Sequence, residues 1–267
     1  ASGGLWVWSY QQGYGWYALP GMILYGFSLA AMFAPLHECV HRTAFASQWA
    51  NKGVAWVAGV LSLYNSTFYR HYHKWHHRHT RVLGKDPEYE DVPPTDWGAY
   101  LWVMSGIPWW VGKLRGHLRI ALGRFDGCPY IPEGARTEVR RSTLLQLAVY
   151  VGAIALSIGV QHPWFFLYWV LPLAIGQPIL RFILIAEHTG CTRDDNPLTN
   201  TRTTLTTWPI RLLMWNMPFH AEHHLYAGIP FHALPLAHEK LAGHLAEVAP
   251  GYMAVNRELI GQFGKAA

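Results

Sequence analysis

Charge is what this chain has least of. Only 14% of its 267 residues are charged, against about a quarter in a soluble domain, and the first charged side chain is Glu38. Such a surface is too poor in charge for a well-solvated soluble protein. Cysteine is equally scarce: Cys39, Cys128 and Cys191 are scattered and odd in number. That excludes a disulfide framework and a CxxC metal site, and the three read as buried or idle thiols. No haem-attachment sequence, no His-Pro-Gly-Gly element and no iron–sulfur cysteine pattern occurs, so no electron carrier of those kinds is built in. There is no linker or low-complexity tract, which predicts one domain over 1–267, and no secretory signal.

What fills the chain instead is apolar and aromatic: 51% hydrophobic residues and 14 tryptophans, a residue enriched where bilayers meet water. Tyr17 to Leu36 is uncharged and long enough to cross a membrane at about 1.5 Å per residue. Segments 144–160 and 164–186 predict two further spans, joined by the polar turn Gln161-His162-Pro163. Segments 53–69 and 98–111 are apolar too, but Lys52 and Arg70 flank the first on one side, so both read as in-plane helices. The fold class predicted is an all-α membrane protein with transmembrane and in-plane helices under a histidine-rich cytoplasmic cap. Three spans put the N-terminus on the opposite face, and the aromatic stretch Leu5-Trp6-Val7-Trp8 leads us to expect an earlier helix before residue 1.

The formal charge of +5 is unevenly spread. Arg42, Lys52, Arg70, Lys74, Arg78, Arg81 and Lys85 gather beside apolar runs, as a positive-inside flank does. We therefore expect no nucleic-acid partner, and we expect the histidine clusters to face the cytoplasm.

Those clusters are the informative feature. His37 and His41 are spaced i, i+4; His73, His76 and His77 are spaced i, i+3, i+4; and His220, His223 and His224 repeat that spacing. On a helix each set lies on one face. His188, in Glu187-His188-Thr189-Gly190 just after a predicted span, is a ninth candidate ligand. His71, His79, His117, His162, His232, His238 and His244 read as structural. Neutral imidazole suits iron, zinc, copper and nickel, and nine imidazoles are too many for one ion, so two metals are expected. Glu38, Asp86, Glu187 and Glu222 stand in sequence where carboxylates could accept the other ring N–H of the ligands. No catalytic residue beyond the ligands stands out.

His37-Glu38-Cys39-Val40-His41 is also a His-Glu-x-x-His sequence, the signature of a zinc hydrolase. The other boxes make a membrane zinc hydrolase only a remote alternative. A metal transporter would need ionisable groups at mid-bilayer, and these lie at helix ends.

The three boxes, in this order, resemble those of the integral-membrane fatty acid desaturase superfamily with its hydroxylase and ketolase relatives. The run His224-Leu225-Tyr226-Ala227-Gly228-Ile229-Pro230 is similar to bacterial desaturase-like proteins. Glu187-His188-Thr189-Gly190 resembles an element of membrane alkane monooxygenases, and His79-Thr80 with Gly84-Lys85-Asp86-Pro87 resembles carotenoid ketolases. The resemblance spans about residues 17–240. It implies two non-haem iron ions, O2 as co-substrate, and attack on an unactivated C–H bond of a long apolar substrate such as a fatty acyl chain. A hydroxylase or ketolase of an alkyl, carotenoid or other small apolar substrate is the alternative. It also implies a separate electron-transfer protein of ferredoxin, rubredoxin or cytochrome type, and placement in a bacterial inner membrane. The aromatic residues Trp56, Tyr64, Trp102, Trp109, Trp110 and Trp215 are candidates for a tunnel lining.

Overall fold

The structure, a computed structural model, describes residues 2–13, 15–88 and 93–264. Charge-free runs become helices because only an internally hydrogen-bonded backbone is stable in hydrocarbon. Helix α1 (Ser2–Gln11) packs against α2 (Gly15–Ala30), and α2 continues after a tight turn as α3 (Phe33–His41). The break falls at Ala31 and Met32 because Pro35 has no N–H to donate four residues back. Helices α4 (Gln48–Ser62), α5 (Ser66–His79) and α6 (Trp97–Met104) start at side-chain caps: Ser47, Asn65 and Asp96 accept from the N–H of Ala50, Phe68 and Ala99. They are followed by α7 (Ile107–Ala121) and the long α8 (Glu133–Gly159). A π-helical turn at Phe166–Val170 then runs into α9 (Leu171–Leu184).

The remainder is built of short pieces that close over the ends of these helices. They are α10 (Pro197–Asn200), β1 (Thr203–Thr204), α11 (Trp208–Leu213), α12 (His220–Leu225), α13 (Leu234–Leu241), β2 (Val248–Ala249) and α14 (Tyr252–Gly261). Strands β1 and β2 run parallel, Thr203 opposite Val248.

Among the described residues, three stretches are long and apolar enough to cross a membrane: Ala18–His41, Glu133–Gly159 and Phe166–Leu184. The protein is thus a helical membrane protein. The lipid-facing character of α8 is plain from its exposed Leu144, Leu145, Val151, Ile154, Leu156 and Ile158. Boundaries differ from the sequence expectations in instructive ways. The 144–160 segment is only the outer part of α8, since the helix continues through Arg140 and Arg141 back to Glu133. The 53–69 segment is not one helix: Leu63 adopts a left-handed conformation (φ 60°) and Asn65 caps a new start, which turns the chain so that α5 can carry the second box. Likewise 98–111 is broken at Gly106, whose φ of 71° ends α6 and opens α7.

The main core lies among α2, α3 and α9, with Phe27, Leu36, Leu173, Leu180 and Met214 buried in it. Helices α2 and α9 cross backbone to backbone, because a Cβ on Gly176 would collide with the carbonyl of Gly26, and one on Gly26 with that of Pro172. A polar knot pins α8 to the α4–α5 turn: Gln146 donates to Tyr64 O (3.2 Å) and to the Tyr150 hydroxyl (2.8 Å), and it accepts from Asn65 (3.1 Å).

Gly176→Ala is expected to force α2 and α9 apart and cost about 1–3 kcal/mol or more. Thermal unfolding in detergent reads this out. Gly152→Ala, on α8 with nothing within 4 Å, should be neutral or slightly stabilising.

Candidate metal centre

Each histidine box sits where the chain is stopped by local chemistry. Helix α3 carries His37 and His41 and ends at once, with Arg42 in the left-handed region (φ 68°). Helix α5 carries His73, His76 and His77 along one face. Trp215 and Asn216, both left-handed, swing the chain so that α12 presents His220, His223 and His224. His188 follows α9 in the turn 185–190.

These segments meet. Nitrogens of His37, His41, His73, His77 and His223 all lie within 4.8 Å of one another, and those of His76, His188 and His224 form a second such group. The rings of His77 and His224 stack at 4.1 Å, so the two groups are neighbours. Eight of the nine candidates are therefore in the two groups, and His220 stands beside them with its Nε2 3.3 Å from Nε2 of His188. The other histidines lie outside both groups.

The orientation of the rings is set from behind. The Thr80 hydroxyl donates to His76 O (2.8 Å), which leaves its oxygen to accept from Nδ1–H of His224 (3.2 Å). His188 Nδ1 donates to Asn200 O (3.2 Å), and His76 Nδ1 to the Asp86 carboxylate (2.8 Å). The Tyr69 hydroxyl sits 3.2 Å from His73 Nδ1. With Nδ1 engaged, Nε2 is the free lone pair and points inward.

Inward, those lone pairs meet no donor among the described residues. Nε2 of His37, His41, His76 and His224 is buried without a hydrogen-bond partner. Others face each other, as Nε2 of His77 does with Nε2 of His73 (2.9 Å) and of His223 (3.2 Å). Ligands about 2.0–2.1 Å from one ion stand about 3 Å apart, so this spacing fits shared metal ions. Protonation suits it too: burial, aided by neighbouring imidazoles, holds His73, His77, His220, His223 and His224 well below the ordinary imidazole range, and His188 at about 3. All six are neutral near pH 7, the form that binds metal. His76 goes the other way: burial disfavours its cation, but Glu88 and Asp86 outweigh that and raise it.

Among the carboxylates singled out in sequence, Asp86 alone takes the expected position behind a ring. Glu38 instead accepts from the Thr43 hydroxyl (2.5 Å) and the Phe231 N–H (3.1 Å), bracing the first box against the loop after the third. Glu222 is fully buried but pairs with Thr203 and with His238, a histidine read as structural. Glu187 lies on the inner side of the rings, its Oε2 3.5 Å from His220 Nε2. Sequence reasoning missed Glu88, His238 and the two arginines that tie down the loops. Arg81 donates to the carbonyls of Cys191 (2.9 Å) and Thr192 (3.2 Å), and Arg202 to those of Ala186 and Thr189 (2.7 Å each). Only the placement of Glu88 two residues after Asp86 was a signal available beforehand.

A cavity of about 710 Å³ opens against the second group, lined by Tyr64, Tyr69, Trp109, Lys113 and Glu187 together with His76. Trp102 lines it as well, whereas Trp56, Trp110 and Trp215 do not.

Membrane-crossing helices, buried histidine clusters able to hold metal and an adjoining cavity are the features of a membrane-bound enzyme class. The profile of the fatty acid desaturase family matches residues 14–256, and the chain belongs to that family of membrane oxidoreductases of lipid metabolism. Among its relatives is the sn-1 oleoyl-lipid 12-desaturase of a Picosynechococcus species, 26% identical over 264 residues, covering 87% of this chain and 71% of the relative. Enzymes of the same description from Anabaena variabilis and a Synechocystis species are 25% and 24% identical, each covering 85% of this chain and 69% of the relative.

Asp86→Asn removes the charge behind His76 and is expected to weaken metal binding about 10–100-fold. Metal content after dialysis against a graded chelator measures it, and unchanged retention would show that Asp86 only supports the loop.

Proposed function

We propose that His37, His41, His73, His77 and His223 hold one iron ion and His76, His188, His220 and His224 a second. With O2 and electrons from a separate protein, the enzyme removes hydrogen from an unactivated C–H bond of a fatty acyl chain. The observation that carries this reading is the convergence of buried, partnerless Nε2 atoms from three separate chain segments, with His188 brought in from a fourth. Bound iron would supply the activation of O2. The protein's share is position and exclusion. Thr80, Asn200 O and Asp86 keep His224, His188 and His76 in the tautomer that leaves Nε2 bare, and Tyr69 holds the ring of His73. Burial of the boxes keeps water from the oxidant, and the cavity beside His76 and Glu187 admits an extended chain.

The basic residues beside the boxes support placement on the cytoplasmic side of what we take to be a bacterial inner membrane. Lys74 and Arg78 are exposed on the face of α5 away from the ligands, a suitable landing site for an acidic ferredoxin- or rubredoxin-type donor. A second reading, oxygen insertion by a hydroxylase or ketolase, draws on one observation. Lys113 and Arg181 both line the cavity, where they could hold an oxygen of the substrate or product.

Lipids from cells making the protein, compared with a His223→Ala control made at the same level, decide between the two. We expect a species lighter by two hydrogens that the control lacks. A species heavier by one oxygen would establish hydroxylation instead, and neither would rule out the acyl substrates of that host. Donor docking is tested separately. Raising salt from about 0.1 to about 1 M shortens the Debye length from about 10 to about 3 Å. Turnover at fixed donor concentration should then fall, and charge reversal at Lys74 and Arg78 should raise the KM for the donor several-fold. Insensitivity to both would remove that docking surface.

A further inference from the structure

The two histidine groups are unequal: five imidazoles converge in one and three in the other. What stands beside the smaller group is carboxylate. Glu88 Oε2 lies 3.5 Å from Nε2 of His76, and its other oxygen lies 3.8 Å from Nδ1 of His73. Glu187 Oε2 lies 3.5 Å from Nε2 of His220, which is itself 3.3 Å from Nε2 of His188. Both glutamates line the cavity that opens on His76 and His188.

The side of the ring matters. Asp86 approaches His76 at Nδ1, the outer nitrogen, and accepts its proton. Glu88 approaches the same ring at Nε2, which is buried and makes no hydrogen bond. A carboxylate oxygen and an imidazole nitrogen that share an ion at about 2.0–2.2 Å stand about 3 Å apart or slightly more. The two separations of 3.5 Å are therefore close to those of ligands to a common ion.

Electrostatics leads to the same place. Nine neutral imidazoles would leave two metal cations uncompensated in a buried site, which is costly. Two carboxylates facing the smaller group would supply the missing negative charge.

We propose that the smaller centre is a mixed imidazole–carboxylate site, to which Glu88 and Glu187 supply oxygen ligands, beside an all-imidazole larger centre. This rests on the reading that the cluster binds two metals, and the experiment separates the two ideas. Full-length protein, stripped of metal in detergent, is titrated with Co(II) while visible absorption and bound cobalt are followed. Wild type should bind two equivalents with distinct spectra. The Glu88→Gln/Glu187→Gln pair should keep the first equivalent and bind the second at least about tenfold more weakly. Each single substitution, which guards against a double variant that fails to fold, should weaken the second equivalent alone and alter its spectrum. Two equivalents with wild-type affinity and spectra in all three variants would overturn the carboxylate ligation and leave the two-metal reading standing. Fewer than two equivalents in the folded wild type would overturn both.

Discussion

Everything in this fold answers to one requirement: many imidazole nitrogens must be taken out of water and aimed at each other. Leaving a buried acceptor unpaired costs about 1–3 kcal/mol. Nε2 of His37, His41, His76 and His224 are four such atoms in one small volume. Among the described residues no donor relieves them, because the nearest groups include further imidazoles with the same lone pairs. A metal ion would relieve all of them together, and its loading would then be coupled to the final packing of the boxes.

That cost is tolerable only because the surrounding scaffold is held by interactions that do not involve the metal. Helices α2 and α9 meet through Gly26 and Gly176, which brings α3 and the turn after α9 to the same depth. Gln146, Tyr150 and Asn65 tie α8 to the start of α5, so the second box begins from a fixed point. Arg81 and Arg202 hold the 185–192 turn through its carbonyls, which stations His188 opposite His76. Membrane helices set the height of the site, and arginine–carbonyl ties set its closure.

The clustering of the histidines was legible because period 3.6 puts i, i+3 and i+4 on one face whatever the tertiary context. The spans were legible for a similarly local reason, the absence of charge. What escaped was whatever depends on a partner distant in sequence. The pairing of Glu222 with His238 needs α13 folded back over α12, and the Glu38–Phe231 bond joins positions far apart in the chain. The breaks at Leu63 and Gly106 escaped for another reason. Leucine is an uncommon left-handed residue, and its conformation there is imposed by the Asn65 cap and the crowded approach of Gly59 to Tyr64 O rather than by its own preference.

The cations of the cavity wall complete the logic of the site. Lys113 places its ammonium 3.4 Å from the centre of the Tyr64 ring, and the Arg181 guanidinium lies 5.8 Å from that of Trp109. Aromatic faces can carry a cation at low desolvation cost, which lets positive charge persist in a largely apolar wall. The same Arg181 opposes the upward push of burial on the Glu187 carboxyl. Charge in this pocket is thus arranged in layers: cations on aromatic rings, then carboxylates, then imidazoles whose bare nitrogens face inward. Such layering brings anionic groups up to the proposed metal site while keeping them from being expelled by burial, and it does so beside the cavity.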